Sequence, residues 1–205
     1  MNQNTFLIIT MTLLIGGIGG FLISEMNKGE RESFNCPLMS GYEESNQKIH
    51  DMHSGVMDHS MMMVASEREF VAGMIPHHQE AVDTATEVLE RGGTTEGIRT
   101  LAEEIITAQE TEIAMLKEWH LSWYGEEYQD GASYKNMMRD LSGLNGEELD
   151  KRFLEDMIPH HMGAIMMAQS VRPYIEHQEV SEMADAIMET QMAEIELMRE
   201  MLERF

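Results

Sequence analysis

The chain has one cysteine, Cys36, among 205 residues. A single cysteine cannot close an internal disulfide, and a thiolate zinc site needs several. Basic residues are also scarce. Fourteen Lys and Arg stand against 37 Asp and Glu, for a formal charge of −23 at pH 7. A surface of that sign repels phosphate backbones, so no nucleic-acid partner is expected, whereas cations are drawn to it. No segment reads as a β-strand. No G-x-S-x-G elbow, P-loop or H-E-x-x-H zincin motif occurs. No catalytic residue is therefore assigned, and the chain is not expected to be an enzyme.

What the chain does have is methionine, 22 in all. Methionine is a flexible core filler, and it is also a soft thioether ligand that selects Cu(I). Position decides between the two roles. A methionine on a helical stripe is explained by packing, whereas one in a polar stretch is not.

Residues 6–23 read FLIITMTLLIGGIGGFLI, without a charge. As a helix, 18 residues span about 27 Å, close to a hydrocarbon core. The preceding MNQNT has no basic residue and no Ala-x-Ala cleavage site follows. An uncleaved anchor within residues 1–24 is favoured over a signal peptide. Gly16 and Gly20 form a GxxxG pair of the kind that lets membrane helices approach. Lys28 and Arg31 follow the segment, and the positive-inside rule alone would put that side in the cytoplasm. Residues 25–65 are polar, lack a period and read as a linker. Within it, HDMHSGVMDHSMMM holds His50, Met52, His53, Met57, His59, Met61, Met62 and Met63. No core can be built from this run, so these residues are further candidate ligands able to wrap a Cu(I) ion.

From Ser66 the pattern turns helical. Ser66 with Glu69 makes a capping box, apolar residues recur at three and four until Leu89, and Gly92-Gly93 stops the helix. A second helix is expected over about 95–123, with a stripe of Ile98, Leu101, Ile105, Ala108, Met115 and Trp119. Residues 124–145 form a connection, with a short helix expected near 134–141. Asn145 with Glu148 opens a third helix that ends before Pro173, and a fourth covers about 180–204. The second pair repeats the first. FVAGMIPHHQEA from Phe70 matches FLEDMIPHHMGA from Phe153, and AQETEIAML from Ala108 matches TQMAEIELM from Thr190. Repeat one is 66–123 and repeat two 146–205. Each hairpin alone exposes an apolar face, so the two are expected to form one all-α four-helix bundle over 66–205. In an up-and-down bundle the first and third helices would run parallel, on a diagonal.

Met-Ile-Pro-His-His occurs once in each repeat. Met74, His77 and His78, and their counterparts Met157, His160 and His161, each fall within one sector of a helix, on the inward stripe. Ala81 and Ala164 continue that sector. Nitrogen and thioether sulfur without thiolate suit Cu(I) or Ag(I), and neutral imidazole also suits Cu(II). These six residues are the candidate metal ligands. Gln109, Glu112, Gln191 and Glu194 lie on the apolar stripes of the other two helices. A buried carboxylate is expensive unless paired, so Glu112 and Glu194 are expected to accept hydrogen bonds from the motif histidines and orient them. Met162, Met166, Met188 and Met192 are explained equally by packing and by ligation.

The repeated Met-Ile-Pro-His-His with its following alanine, and the later Gln-x-x-Glu-Ile segments at Gln109 and Gln191, resemble the family catalogued as domain of unknown function 305. The resemblance covers about 66–204. It implies a ferritin-like four-helix bundle, and the family's studied members include periplasmic copper-binding proteins of the CopM type, implicated in copper resistance. The run from Met57 is similar to the Met-rich repeats of periplasmic copper-resistance proteins. Together with the soft ligand set, this implies an extracytoplasmic, membrane-anchored protein that sequesters Cu(I) or passes it to a copper-transfer partner. Two other readings stand beside it. One is a ferritin-like di-iron oxidoreductase, although such sites use Glu-x-x-His and methionine holds the glutamate position here. The other is a Met-rich protein-interaction module.

Overall fold

A computed structural model describes residues 62–129 and 134–205. It consists of four α-helices, with no strand among the described residues: α1 Glu67–Arg91, α2 Ile98–Tyr124, α3 Gly146–Val171 and α4 Gln178–Leu202. A 3-10 turn, Arg172–Tyr174, follows α3 and contains Pro173. None of the described helices is long and apolar enough to cross a membrane. The expected anchor at 6–23, Cys36, and the linker residues His50, Met52, His53, Met57, His59 and Met61 lie outside the described residues.

Helix starts follow the local chemistry. The Ser66 hydroxyl accepts the Glu69 N–H at 3.1 Å, and the Glu69 carboxylate reaches back to the Ala65 N–H at 2.7 Å. Asn145 is the N-cap of α3, but its side chain makes no capping hydrogen bond. Gly92 ends α1 and Gly125, with φ of 72°, ends α2. The short helix expected at 134–141 does not form. Its backbone N–H groups are engaged elsewhere: those of Met137 and Met138 donate to Glu80, and that of Arg139 to Asp156. The α2 stripe also departs from expectation. Ile113, Leu116 and His120 are buried in its second half, whereas Met115 is 38% exposed. Continuing the period from Ile105 through Gln109 leads to 113 and 116 and leaves 115 off the face.

The hairpins α1–α2 and α3–α4 meet chiefly through α1 and α3, which pack directly on each other. These two helices run antiparallel, not parallel on a diagonal. The start of α1 binds the chain just beyond α3, since Glu67 accepts the N–H groups of Glu176 and His177 at 2.7 and 2.8 Å. The start of α3 binds the chain just beyond α1, since Asp150 accepts those of Gly93, Thr94 and Thr95 at 2.6, 2.9 and 2.8 Å. Small residues permit the close approach: a methyl group on Gly73 would stand 3.1 Å from the Met167 terminus on α3.

This head-to-tail pairing divides the core in two. One apolar cluster joins the end of α1 to the start of α3 through Val88, Leu149 and Phe153, with Met157. The other joins the start of α1 to the end of α3 through Phe70, Val71 and Val171, with Met74. Phe70 and Phe153 are fully buried, and each contributes roughly 1.5–3 kcal/mol by leaving water. The histidine motifs fall between the clusters.

Candidate metal centre

His77, His78, His160 and His161 are all buried, at 0–1% exposure, as are Met74 and Met157. The helices continue through Pro76 and Pro159, so each motif stays a helical face. The rings of His77 and His160 lie across the α1–α3 contact with centroids 3.9 Å apart, and each adjoins its own neighbour, His78 at 6.1 Å and His161 at 6.4 Å. The two motifs therefore share one level and form a single polar layer.

Carboxylates border that layer. Glu194 Oε2 is 2.6 Å from His161 Nε2 in a hydrogen bond within the second hairpin. Glu112 Oε2 is 2.7 Å from His78 Nε2 within the first, a close contact that is not aligned as a hydrogen bond. Glu80, on α1, lies 3.3 Å from His160 Nε2 and also accepts the Tyr134 hydroxyl at 2.6 Å. Nothing in the sequence pattern singled out Glu80 or Tyr134. The signal that was available is a difference between the repeats, since Glu80 corresponds to Gly163. Gln109 and Gln191 are buried with their Oε1 atoms unpartnered.

The electrostatics favour neutral rings at His77 and His160. Burial, reinforced by the three other histidines, holds His77 well below its ordinary pKa of 6.5. Burial also lowers His160, against the opposing pull of Glu80. Neutral imidazole is the form that binds metals. Glu80 itself is raised by burial but lowered more by His160, Tyr134 and the Met138 N–H, and it ends below its ordinary value. Burial and the Glu80 carboxylate push the Tyr134 hydroxyl far above its usual range, so it remains a donor.

Both nitrogens of His77, and Nδ1 of His78, His160 and His161, are buried without a partner, while Nε2 of His78 and of His160 have only the unaligned carboxylate contacts of Glu112 and Glu80. Leaving a buried polar group unpaired costs about 1–3 kcal/mol, and native proteins keep few such groups. The donor set here is imidazole nitrogen with nearby thioether methionines. No group of three or more His, Cys, Asp or Glu converges on one point among the described residues. Met62 and Met63, at the start of the described residues, differ in setting: Met63 is 58% exposed, while Met62 is partly buried beside Gly163.

The chain matches the family described as "Domain of unknown function (DUF305)" over residues 23–119 and again over 67–202. No curated protein matches it. Among solved structures it is similar to CopM in its Cu(I)-bound form, with 32% identity over 69% of this chain and 98% of that one and a TM-score of 0.61. The silver-bound form gives 30% identity, the same coverages and a TM-score of 0.62. A DUF305 fragment from Deinococcus radiodurans gives 31% identity, 70% and 99% coverage and a TM-score of 0.60. With two matches to the family, its repeats and its four-helix bundle in common with these structures, the chain belongs to the DUF305 family.

Proposed function

We propose that this protein holds monovalent copper in the buried histidine layer, to sequester it or pass it on, and that it does no chemistry on a substrate. The observation that carries this reading is the His77–His160 pair. Two buried imidazoles face each other, tilted by 35°, with both His77 nitrogens and His160 Nδ1 unpartnered. Their burial is costly unless a ligand satisfies them. Cu(I) is the ion that fits, because it tolerates two or three ligands and accepts thioether sulfur beside imidazole. Similarity to CopM, whose structures carry Cu(I) or silver, supports the choice of ion. A Cu(II)-bound form of CopM also exists, and neutral imidazole leaves that state open at more exposed positions.

Met74, His77, His78, Met157, His160 and His161 are the ligands drawn on, with Glu112 and Glu194 orienting His78 and His161 from α2 and α4. Iron is disfavoured by Met74 and Met157, which occupy the place where a di-iron bundle needs carboxylates. The linker thioethers at 50–63 and the apolar segment at 6–23 support an extracytoplasmic, anchored location, where a copper-transfer partner would meet the protein.

Metal analysis of the full chain, purified under reducing conditions and then competed against a Cu(I)-specific chelator, tests the reading. Stoichiometric retention of Cu(I) and Ag(I), with Zn(II) and Fe(II) washed out, is expected. Tight iron binding without Cu(I) retention would overturn it in favour of an oxidoreductase.

A further inference from the structure

The two repeats agree through Met-Ile-Pro-His-His and differ two residues beyond it, at Glu80 and Gly163. This difference makes the two sides of the histidine layer unlike. On the Glu80 side the way to His160 is occupied. The Glu80 carboxylate takes the Tyr134 hydroxyl at 2.6 Å and the N–H groups of Met137 and Met138 at 3.1 and 3.0 Å, and it sits 3.3 Å from His160 Nε2. The chain at 134–138 is thereby pinned beside the layer, with Tyr134 and Met137 also bordering the His77 end.

On the Gly163 side there is no side chain, and three others converge on the space. A methyl group on Gly163 would stand 3.1 Å from His77 Nε2, 3.1 Å from Met62 Sδ and 3.2 Å from Met137 Cε. His77 Nε2 has no hydrogen-bond partner. The sulfur and the nitrogen are thus no more than twice 3.1 Å apart. Metal–nitrogen and metal–sulfur bonds of about 2.0 and 2.3 Å would bridge them after a small movement of the Met62 side chain. The same place opens outward. A solvent-open cleft of about 580 Å³ is lined by Met62, Met63, Gly73, His77, Tyr134 and Met167. Met63 stands in solvent, Met62 beside Gly163, and His77 in the core.

We propose that Met62 and His77, meeting over Gly163, form a two-coordinate access site through which a monovalent thiophilic ion passes between solvent and the histidine layer. The proposal rests on the reading of the layer as a Cu(I) site and deepens it. The step is a ligand exchange. The ion's bond to Met62 Sδ is replaced by bonds within the layer while His77 Nε2 holds it throughout, and its oxidation state does not change. A thioether is neutral and selects soft ions, so the doorway also filters against Zn(II) and Mg(II). Glu80 makes the surroundings of His160 different, since there a carboxylate stands 3.3 Å from the ring nitrogen.

The test is the rate of Cu(I) exchange in the full chain, measured as transfer to a Cu(I)-specific chelator and as uptake from a weak Cu(I) complex. Met62→Leu removes the sulfur and keeps the bulk. Gly163→Ala fills the space, pressing on the flexible ends of Met62 and Met137 and on the His77 ring nitrogen. In both variants, uptake and release should slow by tenfold or more, while in Met62→Leu core stoichiometry and equilibrium affinity stay within about threefold. The paired slowing is the signature of a pathway residue, since a core ligand would change affinity. Rates within threefold of the unaltered protein in both variants, with core Cu(I) still bound, would overturn the doorway and leave the copper layer standing. Failure of the unaltered protein to hold Cu(I) at all would instead overturn the underlying reading.

Discussion

Glu67 and Asp150, 83 positions apart, perform the same task for opposite halves of the bundle. Each lies in the first two turns of the first helix of its own repeat and caps the turn of the other. Glu67 accepts the N–H groups of Glu176 and His177 and lies 2.6 Å from His177 Nδ1, whose ring stacks on Trp123 at 3.7 Å. Asp150 accepts three backbone N–H groups at 93–95 and the Thr94 hydroxyl at 2.9 Å. These reciprocal clamps fix the two hairpins head to tail, and that arrangement sets His77 against His160.

Removing either clamp should loosen the bundle without touching the histidines. Asp150→Asn keeps the shape but turns an amide NH2 toward backbone N–H groups that can only donate, and Glu67→Gln keeps one oxygen for Glu176 and His177 but loses the charge that strengthens those bonds. Each should lower stability by about 1–3 kcal/mol, the cost of leaving buried donors unpaired. Urea denaturation of the metal-free protein measures it. Losses under about 0.5 kcal/mol in both would mean that apolar contact alone sets the head-to-tail arrangement.

The Glu67 clamp should also leave a pH signature. Burial pushes its carboxyl up, but hydrogen bonds from His177 and Glu176 outweigh this and hold it below the ordinary value of 4.5. A folded-state pKa below the unfolded one stabilises fully above the unfolded value and ceases to do so as pH falls through the folded value. The stability gap between the unaltered protein and Glu67→Gln should therefore be flat above about pH 5.5 and shrink below about pH 4.5. Urea midpoints for both proteins from pH 7 to pH 3 give the gap directly. A gap that widens on acidification would contradict the assignment.

Glu80 should hold the connection rather than the bundle. Tyr134, Met137 and Met138 all depend on its carboxylate. Glu80→Ala is expected to speed amide hydrogen exchange at 134–139 by at least tenfold while α1 to α4 keep their protection. Equal loosening throughout the helices would show that the contact belongs to the global fold.

Much of this was legible beforehand because it is local or repeated. Ser66 and Gly92 bracket α1 by their own backbone chemistry, and the repeated motif placed four histidines on inward faces. The head-to-tail arrangement was not legible. Glu67 reads as an acidic residue in the first turn of a helix, favourable there on its own account, and nothing local reveals partners 109 and 110 positions away. The stretch at 134–141 misled for a related reason. Its helical propensity is spent because two carboxylates on other helices take its N–H groups. The difference between Glu80 and Gly163 was visible on aligning the repeats, but its meaning requires knowing that both positions border the same layer.

Methionine's two roles can be separated at Met74 and Met157. Both are fully buried, each in a different apolar cluster. Leucine conserves volume, and such swaps usually cost under about 1.5 kcal/mol. Met74→Leu with Met157→Leu should therefore leave a folded bundle whose Cu(I) affinity is at least tenfold weaker. Unchanged affinity in a chelator competition would return both residues to the status of core filler.

The contact between His77 and His160 predicts strong coupling. With ring centroids 3.9 Å apart, one ion can draw on both rings, and two ions held separately by them would repel at short range. If the layer is one site, His77→Ala alone should abolish most Cu(I) affinity, and adding His160→Ala should cost much less than it does in the unaltered protein. Contacting residues in one network commonly show interaction energies of about 0.5–3 kcal/mol, so the double variant should fall short of additivity by a factor of roughly 2–150. Metal-free stability should move the other way. Each imidazole removed takes at least one unpartnered buried nitrogen with it, which offsets some of the cavity penalty, so the variants should lose less than the 2–5 kcal/mol roughly typical of a buried truncation. Cu(I) affinities and urea midpoints for both single variants and the double variant decide the matter. Additive affinity losses, with one full-strength ion surviving each single change, would establish two independent sites that merely adjoin across the α1–α3 contact.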